Sequence, residues 1–368
     1  MHIAIDARII NSTTGRYIER LLTYLEKLDS PHTFSVIVRK KDINYWVPTN
    51  PNFKIVVADY KPYSFGEQIG FYLFLLRLKP DLVHFCMPQQ PFFYTGPAVT
   101  TVHDLTLLRI TENDDMSSTT LGFKKRIFRE LLHTVLRRAA HIITPTNYVR
   151  DDVLAFHPIK PERISVTYES ADRIAAVVEP VSAYKSTPFL LMVGRTETYK
   201  NHRGVIEAMQ ALLWKNPKLR LVIVGKRDKS SYDLEKWALG HGYRNVDFFG
   251  FASDEQLGWL YENCKAYIFA SFMEGFGLPG LEAMKYGAPV ISSNASCLPE
   301  VYGDAVEYFD PAEPTEISVV IGRVINSAAE RKRLIEKGTK QTEKYSWKRM
   351  ATQTLAIYDD AIKNSVVR

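Results

Sequence analysis

The stretch Ser271–Pro289, SFMEGFGLPGLEAMKYGAP, decides the fold. An apolar run, Ala266-Tyr267-Ile268-Phe269-Ala270, leads into it and reads as a buried strand. Gly275 and Gly277 then permit a tight turn and a close backbone approach to a ligand. Pro279 suits the first position of a helix, where its missing N–H costs nothing, and Gly287 suits the helix C-terminus. The unit predicted is strand, open glycine loop, helix. The backbone amides of Gly275, Phe276, Gly277 and Leu278, at the positive end of a helix dipole, make an anion or sugar site. Glu274 and Glu282 flank that loop. A glutamate near a helix N-terminus often only answers the dipole. A carboxylate on such a loop can also hold several sugar hydroxyls, and a second one further along can hold a ribose diol.

The same alternation of strand and helix runs through the chain. FSVIV (34–38), KIVVA (54–58), LVHF (82–85), AVTTVHD (98–104) and HIITP (141–145) are separated by helical patterns. FLLMVG (189–194), LRLVIVG (219–225), VDFFG (246–250), AYIFAS (266–271) and PVISS (289–293) repeat the arrangement. Near-continuous apolar runs of this kind belong to parallel sheets covered on both faces. The chain's 368 residues fit two such domains. The break is expected in 174–187, IAAVVEPVSAYKST, which lacks clear periodicity. A last helix, YSWKRMATQTLAIYDDAIK, is capped by Ser346, with Trp347, Met350, Leu355, Tyr358 and Ile362 on one face.

Composition narrows the classes. An apolar fraction of 46% and a charged fraction of 24% are those of an ordinary globular protein. The apolar runs fall short of the roughly 20 residues of a membrane helix. Met1-His2-Ile3-Ala4-Ile5 enters a strand directly, so no secretory leader is expected. Three isolated cysteines, Cys86, Cys264 and Cys297, suggest neither a disulfide framework nor a zinc site, and a reducing cytoplasm fits them. A net charge of +6 permits contact with phosphates or an anionic surface without demanding either.

Chemistry-bearing residues stand where strands end. Arg195 and Lys200 follow FLLMVG and can neutralise a diphosphate as it departs, although a charged surface loop looks the same. Lys226 and Arg227 follow LVIVG, and His103 and Asp104 end AVTTV. A lone histidine at a strand end is ordinarily structural. No Asp-x-Asp, the pattern of a metal-bridged diphosphate site, occurs in the sequence. Arg195, Lys200 and the helix dipole can act in place of a cation.

These residues carry a resemblance. The Glu274-x7-Glu282 segment resembles the signature of family 4 glycosyltransferases. The pieces around it match in order: IDARIINSTTGRYIERLL near the start, TVHDLTLL (101–108), ITPTNYVRDDV (143–153) and LMVGRTETYKNHRGVIEAM (191–209). LVIVGK (221–226), FFGFASDEQL (248–257) and LPEVYGDAVEYFDP (298–311) complete the set. The likeness runs from about residue 3 to about residue 362. It implies the GT-B fold: α/β, two Rossmann-like doubly wound parallel-sheet domains with an interdomain cleft. Residues 1–177 would form the acceptor-side domain, 188–346 the donor-binding domain, and 347–368 a helix crossing back to the first.

The resemblance also implies roles. Arg195 and Lys200 match residues that contact the diphosphate, Gly194 precedes them, and Glu282 matches the ribose-binding carboxylate. Glu274 and His103 match contacts to the donor sugar, while Phe251 and Lys226 lie on the side of the base. Gly15 matches a glycine-rich turn near the phosphates and acceptor. Here Thr13-Thr14-Gly15-Arg16 supplies one glycine where many members have two, with Arg16 as an extra phosphate contact. Thr146 and Asn147 match the cleft edge. The implied reaction is transfer with retention of configuration, by front-face attack assisted by the departing phosphate oxygen, with no metal or other cofactor.

The expected function is transfer of a hexosyl group from a GDP- or UDP-linked sugar, GDP-mannose first, to a glycan or lipid-linked acceptor. Glucosyl, rhamnosyl and N-acetylglucosaminyl transfer stand as alternatives. The helix pattern Phe123–Arg138, FKKRIFRELLHTVLRR, and the apolar Ser64–Leu78, SFGEQIGFYLFLLRL, suit peripheral contact with the inner membrane face. Their ordinary readings are a solvated basic face and a core helix. No nucleic-acid partner is expected. A nucleotide-dependent oxidoreductase competes on fold, but no Gly-x-Gly-x-x-Gly follows the first strand. A non-catalytic sugar-nucleotide binding subunit is the third reading.

Overall fold

The computed structural model describes residues 1–12, 14–110 and 118–366; Thr13 of the expected phosphate turn lies outside them. The chain forms two compact units. The first comprises Met1–Leu108, Lys124–Glu169 and Ser346–Arg368, and the second Arg109–Phe123 and Ser170–Tyr345.

The sheet of the first unit contains β1 (His2–Asp6), β2 (Thr33–Val38), β3 (Phe53–Val57), β4 (Leu82–Phe85), β5 (Ala98–Thr101), β6 (His141–Thr144) and β7 (Ile164–Val166). Their order is β3-β2-β1-β4-β5-β6-β7, and every pairing is parallel. β1 is an interior strand, and Ile3, Ala4 and Ile5 on both of its faces are fully buried. That double burial is why the strands read as unbroken apolar runs.

The sheet of the second unit contains β8 (Phe189–Val193), β9 (Arg220–Val224), β10 (Val246–Gly250), β11 (Ala266–Phe269), β12 (Val290–Ser293) and β13 (Glu307–Phe309). The order β10-β9-β8-β11-β12-β13 is again wholly parallel. Each sheet therefore reverses its winding beside its first strand, between β1 and β4 and between β8 and β11. Such reversals place ligands outside the carboxyl ends of the strands. β7 and β13 escaped the sequence reading because each is a three-residue edge strand with no apolar run to announce it.

Residues 174–187 are tied into the second unit. The amide of Ala175 donates to Tyr286 Oη (2.8 Å), and the amide of Glu179 donates to Glu255 O (3.0 Å). The last helix, Trp347–Val366, belongs to the first unit and packs on the helix Gly15–Leu25 and on β4 and β5. Trp347, Met350, Tyr358 and Ile362 are buried, whereas Leu355 is only half-buried. Thr354 takes the inward position instead, its hydroxyl donating to Met350 O at 2.8 Å. Tyr358 reaches His84 Nδ1 (2.6 Å), and His84 Nε2 meets Thr101 Oγ1 (2.8 Å). Burial, with His103 adding to it, depresses the His84 pKa to about 3, so this pin is neutral.

Candidate active site

In the second unit the candidate residues gather on loops at the carboxyl ends of β8, β9, β10 and β11. The Gly194 amide leaves β8 by donating to Val224 O of β9 (2.9 Å). Arg195 comes next and forms ion pairs with Glu197 (2.9 Å) and Asp228 (3.2 Å), its side chain 36% exposed. Asp228 caps the helix Lys229–Gly240 in a reciprocal box with Ser231. Burial opposes ionisation of Asp228. Hydrogen bonds from Ser230 and the Ser231 amide, with Arg195 nearby, outweigh it and hold the carboxyl below its usual range.

Five residues on, Lys200 Nζ meets Glu274 Oε1 at 2.5 Å. The two side chains come from loops after different strands, β8 and β11, and each is mostly shielded yet reachable from solvent. The ammonium also lies 5.1 Å from the Tyr199 ring and 5.7 Å from Phe269. The loops are laced together: the Phe272 amide donates to Tyr199 O (2.8 Å) and the Glu274 amide to Ser296 Oγ (3.0 Å). Buried His202 beside Lys200 is kept neutral, its pKa lowered by burial first and then by Lys200 to about 3.

The glycine loop has the geometry its sequence suggests at Gly277, whose φ is +95°. A second constraint was not legible. A Cβ on Gly277 or on Gly280 would come within 2.5 or 2.2 Å of Tyr302 Oη, which donates to Gly277 O (2.6 Å). Phe276 is buried against the Tyr345 ring. Leu278 begins the helix Leu278–Lys285, whose first amides have no acceptor within the helix. Glu282 lies buried in that helix. Tyr267 of β11 is also buried, and its phenol is pushed well above its ordinary pKa by burial, then by Glu274 and Glu282. Lys226 and Phe251 stand exposed after β9 and β10, Phe251 at 88%. Arg227 is engaged by Glu235 and lies 4.5 Å from the Tyr232 ring.

In the first unit His103 follows β5. Its Nε2 donates to Cys86 O (3.0 Å), its Nδ1 faces buried Glu169 (3.3 Å), and Tyr17 meets its ring edge-on at 4.7 Å. Glu169 is a partner the sequence did not indicate. Asp104 accepts from the Thr106 amide (2.8 Å) and closes the turn. Gly15 has a packing reason of its own: a Cβ there would lie 1.7 Å from Ile10 O. Arg16 is half-buried next to it. Thr146 caps the helix Asn147–Phe156, and Asn147 Nδ2 donates to Tyr168 Oη. Among the described residues no group of His, Cys, Asp or Glu is placed to hold a metal ion, and no helix is long and apolar enough to cross a membrane.

Residues 177–341 match the model of the group 1 glycosyl transferases, and residues 14–173 match that of glycosyltransferase family 4. O-antigen chain mannosyltransferase B of Escherichia coli is 31% identical over 82% of this chain and 85% of its own length. Sucrose-phosphate synthase of Thermosynechococcus elongatus superimposes with a TM-score of 0.76 at 17% identity, covering 99% of this chain and 100% of that one. Anabaena HepE, solved with UDP-glucose, superimposes at 0.73 with 16% identity, covering 97% and 98%. At such identities the structural likeness shows the fold, GT-B, alone.

Proposed function

The chain belongs to glycosyltransferase family 4, and from that premise we propose that it transfers a mannosyl group from GDP-mannose to a glycan or lipid-linked acceptor with retention of configuration. One observation carries the assignment of roles: the Lys200–Glu274 pair, drawn from two strand-end loops at a sheet's winding reversal. A cation and a carboxylate in contact are a neutral, preformed pair. A nucleotide diphosphate offers Lys200 a stronger partner, and the sugar offers Glu274 hydroxyls to accept. Binding of the donor thus exchanges one ion pair for two productive contacts.

Arg195 shares the diphosphate with Lys200, Gly194 and the loop amides of Gly275, Phe276, Gly277 and Leu278 approach it by backbone, and Glu282 takes the ribose. Lys226 and Phe251 take the base side, Gly15 and Arg16 the phosphates, and His103 a sugar hydroxyl. In the reaction the bond from the anomeric carbon to the phosphate oxygen breaks. The acceptor hydroxyl bonds to that carbon on the same face, and its proton passes to the departing phosphate oxygen. Charge grows on the diphosphate, where Arg195 and Lys200 stabilise it, and no metal ion is required.

Mannose is supported by the Escherichia coli relative, a mannosyltransferase by name. UDP-glucose, the ligand of the Anabaena neighbour, is the competing donor. Incubation with GDP-mannose, UDP-glucose and UDP-N-acetylglucosamine, with released nucleotide measured, separates them. GDP release is expected to exceed UDP release, and the reverse order overturns the mannosyl assignment. An acceptor at an anionic membrane is supported by Phe65 (90% exposed) and Ile69 (63%), near the start of the stretch 64–78, whose buried face carries Glu67, Phe71 and Leu75. Exposed Lys124, Arg126 and Arg129 lie on the basic helix. Phe65→Asp with Ile69→Asp is expected to lower sedimentation with anionic vesicles; unchanged sedimentation removes the membrane from the proposal.

A further inference from the structure

His103 follows β5, and three other elements of the first unit hold its ring. Nε2 donates to Cys86 O, just past β4 (3.0 Å), and Nδ1 faces Glu169 Oε1, just past β7 (3.3 Å). Tyr17, on the helix Gly15–Leu25, meets the ring edge-on with centroids 4.7 Å apart. The strands run β4-β5-β6-β7, so Glu169 comes from the edge of the sheet, two strands away from β5. Its side chain is 6% exposed and that of His103 is 16% exposed. Among the described residues, His103 is the ion-pair partner of the Glu169 carboxylate.

Proton balance fixes the state of the ring. A carbonyl can only accept, so Nε2 carries a hydrogen. A bare Nδ1 would set its lone pair against a carboxylate oxygen 3.3 Å away, two acceptors in repulsion. One proton therefore belongs to that contact, whether Nδ1 or the carboxyl bears it. In either case no ring nitrogen keeps a free lone pair, and the ring cannot take a proton from an acceptor hydroxyl. What it can offer is Nε2–H, shared between Cys86 O and a second oxygen.

We propose that Glu169 is a positioning residue for the transfer reaction. It fixes the proton pattern and the plane of His103, so that the ring meets the donor sugar as a hydrogen-bond donor and not as a base. This rests on the reading that His103 touches that sugar. A nearly dry carboxylate holds its partner strongly, because losing the partner strands a buried charge. Tyr17 closes the other side of the clamp without adding charge: burial above all pushes its phenol well above the ordinary pKa. Without Glu169 the ring is free to exchange tautomers and to turn Nε2 off the carbonyl.

Long-range proton–nitrogen NMR of the full chain reports the ring without any turnover, with the His103 signals identified by their loss in His103→Gln. The wild type is expected to show a hydrogen on Nε2, and Glu169→Met a mixture of tautomers. With the preferred nucleotide sugar, Glu169→Met is expected to lower kcat about tenfold while KM moves less than about twofold, the pattern of a lost transition-state contact. Glu169→Gln, whose amide can face Nδ1 as donor or acceptor, should recover most of that loss. In a His103→Gln background, Glu169→Met should lower kcat no further, because a residue acting through His103 has nothing left to position. A bare Nε2 in the wild type, an unchanged ring spectrum in Glu169→Met, no rescue by Glu169→Gln, or a full further loss on top of His103→Gln overturns the proposal. Should Glu169→Met fail to fold, Glu169→Ala takes its place in every arm. If the wild type transfers no sugar, the transferase reading fails, and the ring spectra still decide whether Glu169 sets the state of His103.

Discussion

Each sheet carries an arginine just past the end of its first strand, beside its winding reversal, and the two are held in opposite ways. Arg8, after β1, is 3% exposed, lies 3.6 Å from the Phe71 ring and is clamped between Asp6 and Glu67. Arg195, after β8, is 36% exposed at the side chain and leans on Glu197 and Asp228. Burial disfavours the charge on Arg8, but Asp6 and Glu67 outweigh it and raise its pKa above the ordinary value. A guanidinium saturated inside the protein is committed to structure. One paired at a solvent-exposed lip can exchange a carboxylate for an incoming diphosphate. Position at a strand end is therefore not enough to identify a catalytic cation; the cost of releasing its present partners decides.

The comparison breaks first at Arg8. Arg8→Met strands two buried carboxylates, and a loss of about 3–5 kcal/mol is expected in urea unfolding. Arg195→Met removes half-exposed ion pairs, and a loss below about 1 kcal/mol is expected in the same measurement. Equal losses would erase the distinction. Activity should invert the ranking of the second pair. Arg195→Met and Lys200→Met are each expected to lower kcat by about 10²–10³ while the fold survives, as removal of one charge-stabilising donor does elsewhere. Normal kcat in both would make Arg195 as structural as Arg8.

The smallest effect compares the units by acid. His84 in the first unit and His202 in the second are held near pKa 3, against about 6.5 when unfolded. The unfolded chain binds protons that the folded chain refuses, so each site's stability is intact above pH 6.5 and is lost as pH falls toward 3. Between pH 7 and 5 each should cost about 2 kcal/mol, read as a falling unfolding midpoint. His84→Phe should flatten that slope by its share, and an unchanged slope would contradict the assignment to His84.

Much of this was legible in the sequence, for physical reasons. Strands buried on both faces announce themselves as apolar runs, and the turn at Gly277 needs a residue tolerant of positive φ. What stayed hidden depends on long-range packing. Tyr302 and Ser296, which hold the glycine loop, and Glu169, which faces His103, sit far along the chain and follow no spacing rule. Gly15 reads as a ligand approach, yet the carbonyl of Ile10 already requires it. Arg8 and Glu67 lie 59 positions apart, and only the fold brings them together. The Lys200–Glu274 contact crosses 74 positions; the two residues were legible singly, but their pairing was not.

That pairing is the center of the functional reading, and Glu274→Ala tests it most directly. Transfer from the preferred nucleotide sugar is assayed beside thermal unfolding of the same preparation. The expected result is loss of transfer by at least about 10²-fold in a protein that still unfolds cooperatively, its midpoint lowered because Lys200 loses a mostly shielded partner. Full transfer by a normally folded Glu274→Ala protein would contradict it.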